Sequence, residues 1–231
     1  MRNILNEIPK SKLSGRLLAS ILFCEKEDIL NKTVLDIGCG FGWFELFAIS
    51  SGTRRIIGTE LSTSDLKTAK SNIRSNKASF KEGSALNIPF SKNSFDTVVV
   101  WEVIEHLPKF SEPVMLREVF RVLKPGGILY ISTPYSSLFS KLFDPAWWLI
   151  GHRHYSAHDL HELANEHGFS LEKVGVFGGW WTTLGILNMY ISKWIFKRTM
   201  LFNNLFSSKT TEEYISGSNG FSNIFVRLRK V

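Results

Sequence analysis

The chain has 231 residues, of which 44% are hydrophobic, 13% aromatic and 21% charged, with a formal net charge of +7. That length supports one sizeable core with a lid or insert rather than two independent domains. Only Cys24 and Cys39 are present, and the second lies inside a glycine turn, which points away from a disulfide-stapled scaffold and toward a reducing, cytoplasmic setting.

Leu13, Leu17, Leu18, Ile21 and Leu22 recur at helical spacing, so residues 1–30 are read as an N-terminal helical cap over the ligand cleft. The run from Leu17 to Phe23 is short for a signal segment, lacks a small-residue cleavage site and leads into Glu25-Lys-Glu-Asp28. Bulky Phe23 before Cys24 also argues against a lipoprotein signal. From residue 31 to 231, short apolar runs alternate with helical patterns, the mark of an α/β, doubly wound, mostly parallel sheet. Strands are expected at Thr33–Ile37, Arg55–Thr59, Ala78–Lys81, Phe95–Trp101, Gly127–Ser132, Phe169–Phe177 and Ser222–Leu228. Helices are expected over Thr63–Asn76 behind Ser62 or Thr63, over Pro113–Leu123 begun by Ser111, and from Ser156 or Ala157 to Gly168. Lys124-Pro-Gly-Gly127 reads as the turn into the fifth strand.

Val34 to Gly42 reads Val-Leu-Asp-Ile-Gly-Cys-Gly-Phe-Gly, a buried-strand pattern running into three alternate glycines and then a helix. Such a turn lets a ligand approach the backbone beside unpaired helix N–H groups. A dinucleotide fingerprint needs a third glycine where Trp43 stands, and the carboxylate of Asp36 would repel a pyrophosphate but attract a cation. Glu60 lies 22 positions past Gly38, at the end of the second strand, where a carboxylate accepts two ribose hydroxyls. Further on come Glu82-Gly-Ser-Ala-Leu-Asn-Ile-Pro-Phe90, Ser94-Phe-Asp-Thr-Val-Val-Val-Trp-Glu-Val-Ile-Glu-His-Leu107 and Arg121-Val-Leu-Lys-Pro-Gly-Gly-Ile-Leu-Tyr-Ile-Ser132.

In the order of these motifs the chain resembles the class I S-adenosylmethionine-dependent methyltransferases, in particular the type 11, ubiquinone-pathway-like group. The match is dense from Lys32 to Thr133 and looser from Gly151 to Phe169. The resemblance implies a Rossmann-like sheet of seven strands with an antiparallel last strand, which makes residues 178–220 an aromatic-rich helical insertion. It implies S-adenosyl-L-methionine as cofactor, held by Asp36, Gly38, Cys39 and Gly40 at the methionine end and by Glu60 and Leu61 at the ribose. Ser84 and Ala85 would meet the adenine, although the family often has aspartate where Ser84 stands. Trp101 ends the fourth strand where it could touch the cofactor or belong to the core.

The reaction implied is methyl transfer, which needs alignment and, for a protonated acceptor, removal of a proton. His106 is the first base candidate by its near-neutral pKa, followed by His154 and Tyr155 near the carboxyl edge of the sheet. His152, His158, His161 and His167 read as surface or capping residues. Glu102, Glu105 and His106 would share one face of a helical turn, and two related groups of enzymes use this pattern with a later histidine, here His152 or His154, to bind a divalent metal. The same pattern occurs in members with no known metal, and none is assigned at this stage.

Leu138 to Ile150 and Trp180 to Phe206 are rich in large apolar groups but are interrupted by Lys141, Asp144, Lys193 and Lys197, so neither reads as a membrane span. Asn188, Ser192, Thr199 and Asn203 mark a polar stripe, so 184–206 reads either as a helix over the substrate cleft or as an amphipathic contact with an anionic membrane. From Trp181 onward there are seven basic residues against Glu212 and Glu213, a patch that would attract anions or simply be solvated. The acceptor expected is a small, apolar or lipid-linked molecule methylated at oxygen. The alternatives are a metal-assisted RNA 2′-O-methyltransferase or a non-catalytic S-adenosylmethionine-binding protein. Nucleic acid is disfavoured because the tryptophan pairs read as buried rather than as stacking platforms.

Overall fold

In a computed structural model, which describes residues 9, 13–197, 200–217 and 220–231, the chain forms one seven-stranded sheet in the order β3-β2-β1-β4-β5-β7-β6. The strands are β1 (Thr33–Ile37), β2 (Arg55–Glu60), β3 (Ala78–Glu82), β4 (Phe95–Trp101), β5 (Leu123–Pro134), β6 (Phe169–Phe177) and β7 (Asn223–Lys230). Strands β1 to β5 pair in parallel, while β7 runs antiparallel to both β5 and β6. Val98, Val99 and Val100 of β4 are all buried because helices cover both faces there, which is why this strand reads as continuous rather than alternating hydrophobicity. The chain order reverses at β1 and β4, so the ligand crevice of this topology lies beyond Ile37 and Trp101.

The helices are α1 (Gly15–Phe23), α2 (Trp43–Ser50), α3 (Thr63–Asn72), α4 (Glu112–Val122), α5 (Leu138–Phe143), α6 (Pro145–Ile150), α7 (Ala157–Asn165), α8 (Trp180–Trp194) and α9 (Asn203–Ile215). Ser62 caps α3 by accepting from Asp65 N, and Ser156 with Asp159 forms a reciprocal capping box on α7. Helix α3 stops at Asn72, earlier than its polar pattern suggests, because Ile73 turns into the core on top of Gly42. In α1 the buried residues are Gly15, Ala19, Ser20 and Phe23, whereas Leu22 is exposed. This helix packs on α9, and Phe23 meets Tyr130 and Phe225 of the sheet, so it covers β5 and β7.

The insertion is two helices, α8 and α9, and 184–206 is not one amphipathic rod. The polar side chains of the supposed stripe tie the bend instead: Asn188 Nδ2 donates to Leu201 O, and Ser192 Oγ donates to Asn188 and accepts from Leu201 N. Arg198 and Thr199 lie outside the described residues. Glu213 of α9 holds the first turn of α8, accepting from the backbone N–H groups of Gly179, Trp181 and Thr182. The tryptophan pairs are not wholly buried, since Trp148 and Trp180 are exposed; neighbours on a helix point about 100° apart, so one of each pair faces outward.

Three of the basic residues near the C-terminus are paired within the molecule. Arg227 pairs with Asp28 and Glu172, Arg229 pairs with Glu172, and buried Lys230 donates to the carbonyls of Phe120 and Leu123. Tyr130 joins this network, donating to Asp28 Oδ2 at 2.5 Å and accepting from Glu25 N at 2.9 Å. Removing its hydroxyl in Tyr130→Phe leaves Asp28 and the Glu25 N–H short of a partner, so urea unfolding is expected to show a loss of about 1–3 kcal/mol.

Candidate functional site

The loop after β1 is shaped by what surrounds it. Gly38 has φ 75°, and a Cβ there would lie 2.4 Å from Val103 Cγ2, while a Cβ at Gly42 would lie 2.6 Å from Ile73 Cδ1. Only glycine allows both the left-handed backbone and these close approaches. The N–H groups of Gly38 and Cys39 both donate to Thr59 O, at 2.8 and 3.0 Å, locking the loop to the end of β2. Glu60 continues that strand and accepts from Gly40 N at 3.1 Å, Leu61 N at 2.7 Å and Ser62 N at 3.1 Å. Its Oε2, with one bond made, keeps acceptor capacity for a ligand hydroxyl.

Asp36 is 1% exposed, and neither carboxylate oxygen has a hydrogen-bond partner among the described residues. Burial, and then the nearby Glu60, push its pKa well above the usual carboxylate range. A buried carboxylate without a donor is costly, and a cation beside it would relieve that cost. This orphaned group fits the positively charged methionine end of S-adenosylmethionine, so the glycine loop, Asp36 and Glu60 suit the cofactor that the sequence implies.

Glu45, in the first turn of α2, is a second buried carboxylate with no partner among the described residues, and sequence reading missed it. A Cβ on Gly58 would lie 2.4 Å from Glu45 Oε1 and 2.7 Å from Cys39 Sγ, so Gly58 leaves the space that both side chains fill. Burial and then Asp36 hold the Glu45 pKa well up. The folded protein therefore binds this proton more tightly than the unfolded chain, and stability falls as pH rises from the unfolded carboxylate range near 4 toward the raised folded value. Glu45→Gln is expected to raise the ligand-free Tm at pH 8 by a few degrees, at about 2–4 °C per kcal/mol, with the gain vanishing near pH 4. Thermal melts across that range measure it.

Past β4 the backbone turns sharply at Glu102, with φ 54°. Ser132 Oγ and Asn223 Nδ2 donate to its carboxylate at 2.8 and 3.0 Å, and Arg16 of α1 forms an ion pair with it. Tyr214 of α9 donates to Asn223 at 2.6 Å, linking the insertion to the same group. Glu105 is buried and accepts from Thr133 Oγ1 at 3.1 Å; burial, then Glu102, raises its pKa. His106 is held down to about 4, by burial first and then by His152, so its imidazole is neutral at pH 7. Tyr155 donates to Glu112 at 2.8 Å, and its pKa is raised by burial and by that bond. With Arg153, which donates to the carbonyls of Ile104 and Leu107, it braces the short turn that carries Glu105 and His106.

A cavity of about 480 Å³ opens beside this turn. Phe143, Ile186, Met189, Met200 and Phe206 supply apolar wall, while Arg16, Glu102, Asp144, His152 and Asn223 make one side polar. His154 and Tyr155 do not line it. His154 is enclosed behind Asp144: its Nε2 donates to Asp144 Oδ2 over 2.9 Å and its Nδ1 lies 3.2 Å from Ser140 Oγ. His152, which the sequence offers as a surface or capping residue or as a later metal-binding histidine, links His106 to Asp144: its Nε2 is 3.4 Å from His106 Nε2 and its Nδ1 is 3.3 Å from Asp144 Oδ2. Asp144 was read only as an interruption of an apolar run, although Asp-Pro-Ala is a helix start and His-x-His puts two imidazoles on one side of an extended segment.

The other implied cofactor residues divide. Leu61 is exposed beside Glu60, Ala85 is buried, and Ser84 turns its hydroxyl to Leu86 N at 3.1 Å. Trp101 belongs to the core, with its ring against Phe44, Tyr130 and Phe225. The tetrad Glu102, Glu105, His106 and His154 does not converge on one point. Among the described residues the groups that do are Glu105–His106–His152 and Asp144–His152–His154.

Residues 34–127 match the family model of the methyltransferase domain. The chain is 34% identical over 149 residues to a probable S-adenosylmethionine-dependent methyltransferase of Mycolicibacterium smegmatis, covering 64% of this chain and 56% of that one. It is 33% identical over 117 residues to the demethylmenaquinone methyltransferase of Lactococcus lactis, covering 48% and 46%. The chain thus spans about half the length of these curated relatives. An S-adenosylmethionine-dependent methyltransferase from Mesorhizobium loti shares the fold, with a TM-score of 0.65 at 16% identity over 92% of this chain and 96% of that one. With the strand order, the glycine loop and the orphaned Asp36 in place, residues 34–127 form the methyltransferase domain that the family model describes, and the fold and the relatives support a class I S-adenosylmethionine-dependent methyltransferase.

Proposed function

We propose that the chain transfers a methyl group from S-adenosylmethionine to a small apolar acceptor, at an oxygen, seated in the cavity under α8 and α9. The observation that carries this reading is the cavity itself: apolar walls with a polar side that begins at Glu102, next to the end of β4 and the glycine loop. Bound cofactor supplies an already activated methyl group on a sulfonium. The chain's part is to hold the ammonium group of the methionine end against Asp36 and fix the ribose at Glu60. It also aligns the acceptor hydroxyl and offers the imidazole of His152, the histidine that lines the cavity, for its proton. The name of the demethylmenaquinone relative agrees with an apolar acceptor. An acceptor panel tests the reading: labelled methyl from S-adenosylmethionine should appear on apolar hydroxyl compounds, and transfer only to RNA or to charged amines would overturn it.

Among the described residues no helix is long and apolar enough to cross a membrane. A peripheral contact is a second reading, favoured by the exposed side chains of Ile195, Phe196, Phe202 and Leu205 around the α8–α9 bend. Flotation with anionic vesicles should carry the protein upward, and recovery of all of it in the bottom fraction would remove this reading.

A further inference from the structure

We propose that Asp144, His152 and His154 form a divalent-cation site of the zinc or cobalt type on the wall of the acceptor cavity. The three contribute one carboxylate oxygen and two imidazole nitrogens that lie within 4.8 Å of one another. Asp144 Oδ2 is 2.9 Å from His154 Nε2 and 3.3 Å from His152 Nδ1. A tetrahedral ion with bonds of about 2.0–2.1 Å sets neighbouring ligand atoms about 3.3 Å apart, so these side chains need little movement to receive one.

The surroundings already hold each ligand in place, as the partners behind metal ligands do. His154 has its other ring nitrogen, Nδ1, at Ser140 Oγ, and its side chain is fully buried. His152 has Nε2 at His106. The second oxygen of Asp144, Oδ1, accepts from Ala146 N at 2.9 Å, which anchors it to the start of α6. Two imidazoles and one carboxylate leave a further position open, and Asp144 and His152 both face the cavity. The competing set, Glu105 with His106 and His152, is looser, since Glu105 Oε1 stands 4.0 Å from His106 Nε2. Glu102, which the sequence pattern would add to it, is taken by Arg16, Ser132 and Asn223. The site adjoins the acceptor cavity but stands on its own geometry, so it can fail without touching the methyl-transfer reading.

The test reads metal and not turnover. Full-length protein, stripped with chelator, is titrated with Co²⁺ and followed by its visible absorption, and the Zn²⁺ form is analysed for ligand type by X-ray absorption. One Co²⁺ per chain with a four-coordinate spectrum, and two imidazoles with a carboxylate on zinc, are expected. Asp144→Asn keeps the cap on α6, and with His154→Gln it should weaken binding by more than the about 10–100-fold that loss of an outer partner costs. His106→Gln should leave one equivalent bound. Absence of binding by the folded wild-type chain would overturn the site, as the carboxylate would then be only a hydrogen-bond hub for two imidazoles. Undiminished binding in folded Asp144→Asn, or loss in His106→Gln alone, would also overturn it.

Discussion

Asp36→Asn is expected to weaken S-adenosylmethionine binding by about 2–5 kcal/mol, roughly 30-fold to several thousand-fold, the cost of removing one partner from a buried charged contact. The same substitution should raise the thermal stability of the ligand-free protein near pH 8. Both effects have one cause: the Asp36 carboxylate is buried at the end of β1 with neither oxygen paired among the described residues, beside Glu60 and Glu45. Without ligand the charge opposes folding, and with a cation it favours binding. Calorimetric titration and a thermal melt on the same variant read the two signs separately. A merely structural aspartate would lose stability along with affinity. A site for a pyrophosphate would do the reverse, binding its anion more tightly once the charge is gone.

Gly185→Phe is expected to lower kcat/KM for the acceptor by about 100-fold, the scale of a reactant displaced by roughly an ångström, while leaving the S-adenosylmethionine Kd within about twofold. Gly185 lies in α8 and lines the cavity; a Cβ there would meet Met200 and Phe206 at 3.5 Å, which is ordinary contact. Gly185→Ala therefore fits, and by removing a glycine from a helix interior it should stabilise the fold by about 0.5–1 kcal/mol. The pair separates filling from flexibility: alanine spares turnover and phenylalanine blocks it. Unchanged turnover in Gly185→Phe would place the acceptor elsewhere, and equal loss in both would assign the effect to helix flexibility.

How far the sequence reaches depends on the range of the interactions. The strands were legible because a run such as Thr-Val-Val-Val-Trp leaves little choice but a doubly covered parallel sheet, and the glycine loop because its conformation is local. The polar stripe of α8 misled because Asn188 and Ser192 bond to Leu201 across the bend, a tertiary contact that periodicity does not encode. In the basic tail, Arg227 finds Asp28 from the other end of the chain, a pairing that a local count of charges does not encode. Within the site, Asp36, Glu60 and the glycines follow a spacing, whereas Glu45 looks like one polar residue in an apolar helix and only burial exposes its role. A later histidine beside His106 is implied by the resemblance, with His152 or His154 as candidates, whereas Asp144 reaches His152 and His154 only through the fold of α5 and α6.

The most direct measurement is a crystal structure with S-adenosylhomocysteine bound. The amino end is expected against Asp36 and the loop from Gly38 to Gly40, the ribose at Glu60, and the sulfur open toward the side of the cavity marked by Glu102. A nucleoside bound away from Glu60, or a sulfur sealed off from that cavity, would contradict the account.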